Sequence, residues 1–341
     1  MKKGFTLFLC LFLLVYGRVC YDYLTDDDGL PTALTGSLSD IAEEVKAIPL
    51  ETTGECRIDE VRQVQSYAGQ LFLISDGSLF RFSGTGQYLC RINDPGQLRA
   101  VRYVIDPDRQ QLIVLGNRDD VFYYTFDGDL VGKRKYPDAG NRSIISIALH
   151  QGRILTTEKV ETDGVSRNCV VEYDLDFNRI ADRGITTPQL SETRGLPYCF
   201  SPQLGLLSSG NLYVYASPAN ADHLLADSLY IRARGLHYMS PAITHYPLRF
   251  GSRFWIANNY NPADKTDNYT FCFDQENGRS WNLKEGLKDN FFKTGLIANL
   301  QAIDLTGQTY CFSKTAREAR KAFPRRTADE NPVVFIVRLK A

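Results

Sequence analysis

Six times along the chain a small or polar turn residue leads into a short apolar or alternating run. These are GQLFLIS from Gly69, QQLIVLG from Gln110, GRILTTE from Gly152, GNLYVYA from Gly210, GSRFWIA from Gly251 and GQTYCFS from Gly307. Side chains alternate across a pleat, and branched or aromatic residues pack well on it, so runs of this length bounded by glycine predict β-strands. The starts fall 41, 42, 58, 41 and 56 residues apart. Several short strands repeating at that interval is the spacing of propeller blades.

Each unit extends in the same way. In the first, VRQVQSYAG (61–69) supplies an inner strand, GQLFLIS the second, SLFRFSG (78–84) the third and GQYLCRI (86–92) the fourth. The turn between the last two is Gly84-Thr85-Gly86, echoed by Asp127-Gly128, Asp176-Phe177-Asn178 and Asn277-Gly278. Gly and Asn there permit the positive φ that tight hairpins demand. The sixth unit is one strand short: after GQTYCFS comes the polar TAREARKAFPRRTADENP (315–332), helix-prone in its first half, and then only PVVFIVRLK (332–340). An orphan strand, VKAIPLE (45–51), precedes the first unit. Pairing the two closes the ring, whereas an open ring leaves two exposed edges. The expectation is an all-β chain, a six-bladed β-propeller of four-stranded antiparallel blades whose N-terminal strand pairs with its C-terminal strand.

Composition supports this and narrows the rest. The 341 residues are 43% hydrophobic, enough for a large core, and include 19 Tyr and 19 Phe. A net charge of −1 gives no basic field for nucleic acid. Lys2 and Lys3 precede a nearly unbroken apolar run from Phe5 to Tyr16, the length of a signal-peptide core and too short to span a bilayer. The expected organisation is a signal peptide over 1–19, a tether over 20–40 with the acidic Asp26-Asp27-Asp28, and the propeller over 41–341. The protein is thus expected in the periplasm or at the outer membrane. Cys20 is a candidate for lipidation, although Gly17-Arg18-Val19 makes a poor lipobox and cleavage near Val15-Tyr16-Gly17 is the alternative. The remaining cysteines are widely spaced, without C-x-x-C, and read mostly as buried thiols, with one disulfide left open.

The strand VKAIPLETT (45–53), the hairpin LFRFSGTGQYLCRI (79–92) and the tail NPVVFIVRLK (331–340) resemble the six-bladed β-propeller proteins exported by Bacteroidetes, relatives in shape of NHL and TolB-type propellers. The resemblance runs from about residue 40 to the end. It implies fold and export, and hardly touches activity. Family members often carry a Gly-Pro-Gly-Glu type turn after the first blade; INDPGQLRAV (92–101) keeps only Pro95-Gly96.

Motifs of catalysis are missing. There are four His and no H-E-x-x-H; GLLSSG (205–210) fails the spacing of a nucleophile elbow; GDLVGKRK (128–135) fails that of a P-loop, and its Lys-Arg-Lys reads as the solvated side of a strand. No cofactor or metal is expected. The segments EKVETDGVSRN (158–168), SPANADHLLADS (217–228) and NNYNPADKTDN (258–268) follow second strands and are expected as long loops crowding one face of the ring. The binding candidates are Arg167, Asn259, Tyr260 and Lys265, with Arg118 and Asp119 from the shorter equivalent loop. The expected function is a monomeric binding or scaffold module for a glycan, peptide or partner protein, touching membrane only through an anchor. The alternative is a lactonase- or lyase-type propeller holding a divalent ion in its channel, for which Asp106, Glu158 and Asn258 are suitable residue types.

Overall fold

Each repeat of the sequence becomes one antiparallel sheet in a computed structural model. It describes residues 36–185, 203–206, 212–215, 244–260 and 269–341, apart from 95, 118–119, 137–138, 163–164, 275, 284–285, 298–299 and 305–306. A four-residue helix α1 (Leu38–Ile41) leads into β1 (Ala42–Pro49). Blade one is β2 (Gln63–Tyr67), β3 (Gln70–Ser75), β4 (Ser78–Ser83) and β5 (Tyr88–Arg91); blade two is β6 (Ala100–Asp106), β7 (Gln111–Gly116), β8 (Asp120–Thr125) and β9 (Leu130–Lys135). Blade three is β10 (Arg142–His150), β11 (Arg153–Thr162), β12 (Val165–Tyr173) and β13 (Arg179–Ile185). At the fourth repeat the described strands are β14 (Gln203–Leu206) and β15 (Leu212–Tyr215). Blade five is β16 (Thr244–Phe250), β17 (Phe254–Tyr260), β18 (Tyr269–Asp274) and β19 (Ser280–Asn282), followed by a small hairpin of β20 (Leu287–Asp289) and β21 (Gly295–Ile297). The last sheet joins β22 (Gln301–Ala302), β23 (Thr309–Lys314) and β24 (Val333–Leu339) to β1.

The second strands of blades one and two are apolar along most of their length because both of their faces are covered. In β3, Leu71 to Ser75 are all buried. Phe72 and Ile74 pack with Tyr103, Leu112 and Val114 of blade two, while Leu71 and Leu73 pack on the other side with Ile48, Cys311 and Val334 of the last sheet. Blade two meets blade three through Ile113, Leu115 and Tyr123 against Ile154 and Val171. Blade five meets the last sheet through Phe250, Phe254 and Trp281 against Tyr310, Phe312 and Phe335. Inner strands are also stitched by polar side chains: Gln63 donates to Tyr103 O at 2.9 Å, and Arg102 Nε to Ile145 O at 3.2 Å.

The ring closes as its ends suggested. β1 and β24 pair antiparallel, with Val45 opposite Val337 and Pro49 opposite Val333. Asn331, 2% exposed, pins the junction. Its amide donates to Glu51 O (2.6 Å) and Cys56 O (3.0 Å), and its oxygen accepts from Ile58 N (2.8 Å). The expected tether is too long at its C-terminal end. Leu38 and Ile41 are fully buried, and Lys288 N donates to Gly36 O at 2.8 Å, so residues 36–40 belong to the packed ring. Residues 1–35 lie outside the described part.

The hairpin turn of blade one abuts the closing strand. Gly86 has φ +92°, and a Cβ there would stand 2.1 Å from Pro49 O. Gly86→Ala is therefore expected to cost roughly 2–4 kcal/mol, combining left-handed strain with a backbone clash. A urea titration reads this directly; a midpoint equal to the parent's would show that the turn relaxes freely.

Candidate functional site

The two ends of the ring are built differently. Among the described residues, antiparallel alternation places the first-to-second and third-to-fourth turns of each four-stranded blade at one end. At that end most turns are short, such as Ala68-Gly69 and Gln151-Gly152, each with positive φ. The other end receives the second-to-third turns and the links between blades. It carries residues 50–62, 92–99 and 136–141, the β20–β21 hairpin within 283–300, and 315–332 with its 3-10 turn Glu318–Lys321. Asp289 shapes the hairpin tip: its buried carboxylate accepts from Phe291 N, Phe292 N and Thr294 N at 3.0–3.1 Å.

The sequence candidates distribute unevenly over this end. Arg167 lies inside β12, opposite Val160 of β11. The expected long loop over 158–168 instead falls largely on two long paired strands, Arg153–Thr162 and Val165–Tyr173. Asp163-Gly164 is a dipeptide that tight hairpins favour, and this local signal was outweighed by the polar character around it. Asn259 and Tyr260 are likewise the last residues of β17, opposite His245 and Thr244, so residues 258–260 belong to a strand rather than to the expected loop. Arg118, Asp119, Lys265 and the segment 217–228 lie outside the described residues.

The residue types considered for a channel ion do not converge. Asp106 is buried at the opposite end, where its carboxylate accepts from Asp108 N and Arg109 N, both at 3.2 Å. Asn258 lies in β17 of blade five. Glu158 is fully buried in blade three. It pairs with Arg142 at 3.0 Å and accepts from Thr156 Oγ1 and from Tyr173 OH at 2.8 Å. Tyr136 OH stands 3.2 Å from Tyr173 OH, and Arg142 also reaches Asp182 at 2.9 Å. Burial opposes the charge on Arg142, but its bonds to Asp182 and Glu158 outweigh burial and hold its pKa above the usual value. Such a satisfied network holds its members in place. Among the described residues no three His, Cys, Asp or Glu side chains come together as a metal set.

Cys56, Cys90, Cys169, Cys272 and Cys311 are unpaired thiols, all buried except the half-buried Cys90. Burial pushes Cys56 and Cys169 up to about 11 and Cys311 to about 12. Nucleophilic thiolates need the reverse shift.

A family model described as 6-bladed beta-propeller matches residues 28–218. No curated protein matches the chain in sequence. Among solved structures, a Bacteroides fragilis protein classed as exported aligns at TM-score 0.57 and 13% identity, over 90% of this chain and 99% of its own. A protein of unknown function from Bacteroides caccae gives TM-score 0.34 at 14% identity, over 65% of this chain and 81% of its own. A catalytically inactive virginiamycin B lyase from Staphylococcus aureus gives 0.40 at 12%, over 86% and 99%. At 13% identity the likeness to the Bacteroides fragilis protein is one of fold.

Proposed function

The chain belongs to the 6-bladed beta-propeller family, and from there we propose that it is an exported binding module whose ligand sits at the end of the ring bearing the long connections. The observation that carries this reading is the asymmetry of the two ends. One is trimmed mostly to short turns, while the other holds a hairpin, a 3-10 turn and extended links. A rigid ring with elaborated loops at one mouth is the usual arrangement for binding. Arg167, Asn259 and Tyr260 stand on strands at this end, and Arg118, Asp119 and Lys265 belong to its connections in sequence. Tyr and Arg are the types that dominate binding energy when centrally placed. The ligand class is a glycan, a peptide or a partner protein. Lys2, Lys3 and the apolar run to Tyr16 support export, and Cys20 is the candidate anchor. Among the described residues no helix is long and apolar enough to cross a membrane.

The site is tested with the double variant Arg167→Ala, Tyr260→Ala against ligands recovered from a glycan array and from native cell-envelope extracts. Binding at least about tenfold weaker is expected, with Arg153→Ala at the opposite end as the control. Loss in the control and not in the double variant would place the site at the wrong end. Fatty-acid labelling of cells, wild type beside Cys20→Ala, tests the anchor: label in the wild type alone supports it, and none in either removes it.

A further inference from the structure

The flank of the ring carries a feature that neither end explains. Between β9 of blade two and the β12–β13 turn of blade three lies a cleft of about 470 Å³, lined by Lys133, Arg134, Lys135, Arg179, Asp176 and Asn178. Four cations face one carboxylate on its walls, in a chain whose net charge is −1. In a covered strand, alternation would send Lys133 and Lys135 to one face and Arg134 to the other. β9 is the outermost strand of its blade, so side chains from both faces reach around its edge.

The nearby acids are shared among these cations. Asp120 holds Lys135 at 2.8 Å and Lys133 at 3.3 Å. Asp176 serves Arg134 at 3.5 Å and Arg109 at 4.0 Å. Asp182 takes both Arg179 and Arg142, and Arg142 has Glu158 as its other partner. Arg109 also has Asp106 at 3.9 Å, so the six cations of these pairs meet five carboxylates.

Both walls are also held in place. Lys133 Nζ sits 4.7 Å above the Phe122 ring while tied to Asp120, which is only 12% exposed. The facing turn is fixed by Asp174, whose carboxylate accepts from Asp176 N (2.9 Å), Asn178 N (2.8 Å) and Asn178 Nδ2 (2.8 Å). Phe177 at its apex, φ +62°, is buried and stacked 4.9 Å from Tyr173. The turn therefore presents Asp176 and Asn178 outward with little freedom.

We propose that this cleft binds a small oligoanion carrying two or more phosphate, sulfate or carboxylate groups. Its walls offer N–H donors and positive charge, and arginine forks match oxyanions in pairs. The aromatic ring at the cleft is buried, so an acidic peptide, which relies on apolar anchors, fits less well than a polar anion.

The test is calorimetry on the full chain with tripolyphosphate, a sulfated heparin-derived hexasaccharide, neutral maltohexaose and poly-glutamate, at low and moderate salt. Stoichiometric binding of tripolyphosphate or the sulfated hexasaccharide, weakening with salt, and no binding of maltohexaose are expected. Tripolyphosphate alone identifies a phosphate ester; the hexasaccharide alone identifies a sulfated glycan. The variant Lys133→Ala, Arg134→Ala, Lys135→Ala should lose at least about tenfold. Asp176→Asn, which removes the one lining acid, should tighten binding. A control stripped of three exposed cations elsewhere, Lys288→Ala, Arg320→Ala, Lys321→Ala, should bind as the parent does. No anion binding, equal loss in the control, no tightening by Asp176→Asn, or poly-glutamate binding more tightly than both small anions would each overturn the proposal.

Discussion

Deleting residues 332–341 is expected to abolish cooperative unfolding of the ring as a whole. The deletion removes β24, the strand between β23 and β1. Val333, Val334, Phe335, Val337 and Leu339 are each at most 2% exposed. At about 1.5–3 kcal/mol per buried side chain this is roughly 8–15 kcal/mol of gross apolar burial, as much as the whole stability of a typical domain. β1 loses its only strand neighbour among the described residues, and two sheet edges open. Far-ultraviolet circular dichroism during heating, with limited proteolysis at room temperature, checks this; a truncated chain melting at the parent's temperature would show that closure is not coupled to the other blades. A milder form separates packing from chain loss. Phe335 stacks on Phe312 at 4.6 Å and meets Phe292 edge-on at 5.3 Å, so Phe335→Ala should cost about 3–5 kcal/mol without unlinking the strands.

Glu158→Ala should destabilise the protein by about 3–5 kcal/mol, the cost of breaking a buried ion pair from one side. Glu158 is wholly buried and the Arg142 side chain 8% exposed. Among the described residues, the substitution leaves the guanidinium with Asp182 as its one carboxylate partner, and it takes the acceptor from Thr156 and Tyr173. Replacing both partners together, Arg142→Met with Glu158→Leu, should recover most of the loss, because no unpaired charge remains. Urea midpoints of the three variants decide it, and a single-variant loss under about 1 kcal/mol would mean that water or a shifted side chain compensates. The same network has an acid limb. Burial alone would raise the Asp182 carboxyl, but the bonds from Arg142 and the charge of Arg179 hold it below its usual value. A depressed carboxylate adds stability above its unfolded value of about 3.9, and that share is lost as pH falls through the folded value. Asp182→Asn should flatten the stability profile below about pH 4.

Much of the ring was legible because its signals are local. A turn residue, a short apolar run and a second turn recur within forty to sixty residues, and positive φ at Gly86, Gly128 and Gly278 appears where the hairpin turns required it. The closing pair was legible from two orphan strands at opposite ends of the chain. Other elements carried weak or misleading local signals. α1 is four residues long, too short for helical periodicity, so Leu38 read as tether although it is buried. The polar Glu158–Asn168 stretch read as a loop, yet it pairs as two strands because its ladder bonds and inward Val160 suffice.

By itself, the sequence determined the all-β class, the number and order of repeats and the means of closure, since each rests on alternation and turn chemistry within a few residues. The tertiary structure alone decided which polar groups meet. Arg134 and Asp176, or Asn331 and the Ile58 backbone, are far apart in the chain and come together only when the blades assemble into the ring. Strand pairing within blade three turned Glu158 from a candidate channel ligand into the centre of a buried ion network. Pairings of this kind have no period to detect, because the distance between partners is set by the geometry of the ring rather than by any spacing along the chain.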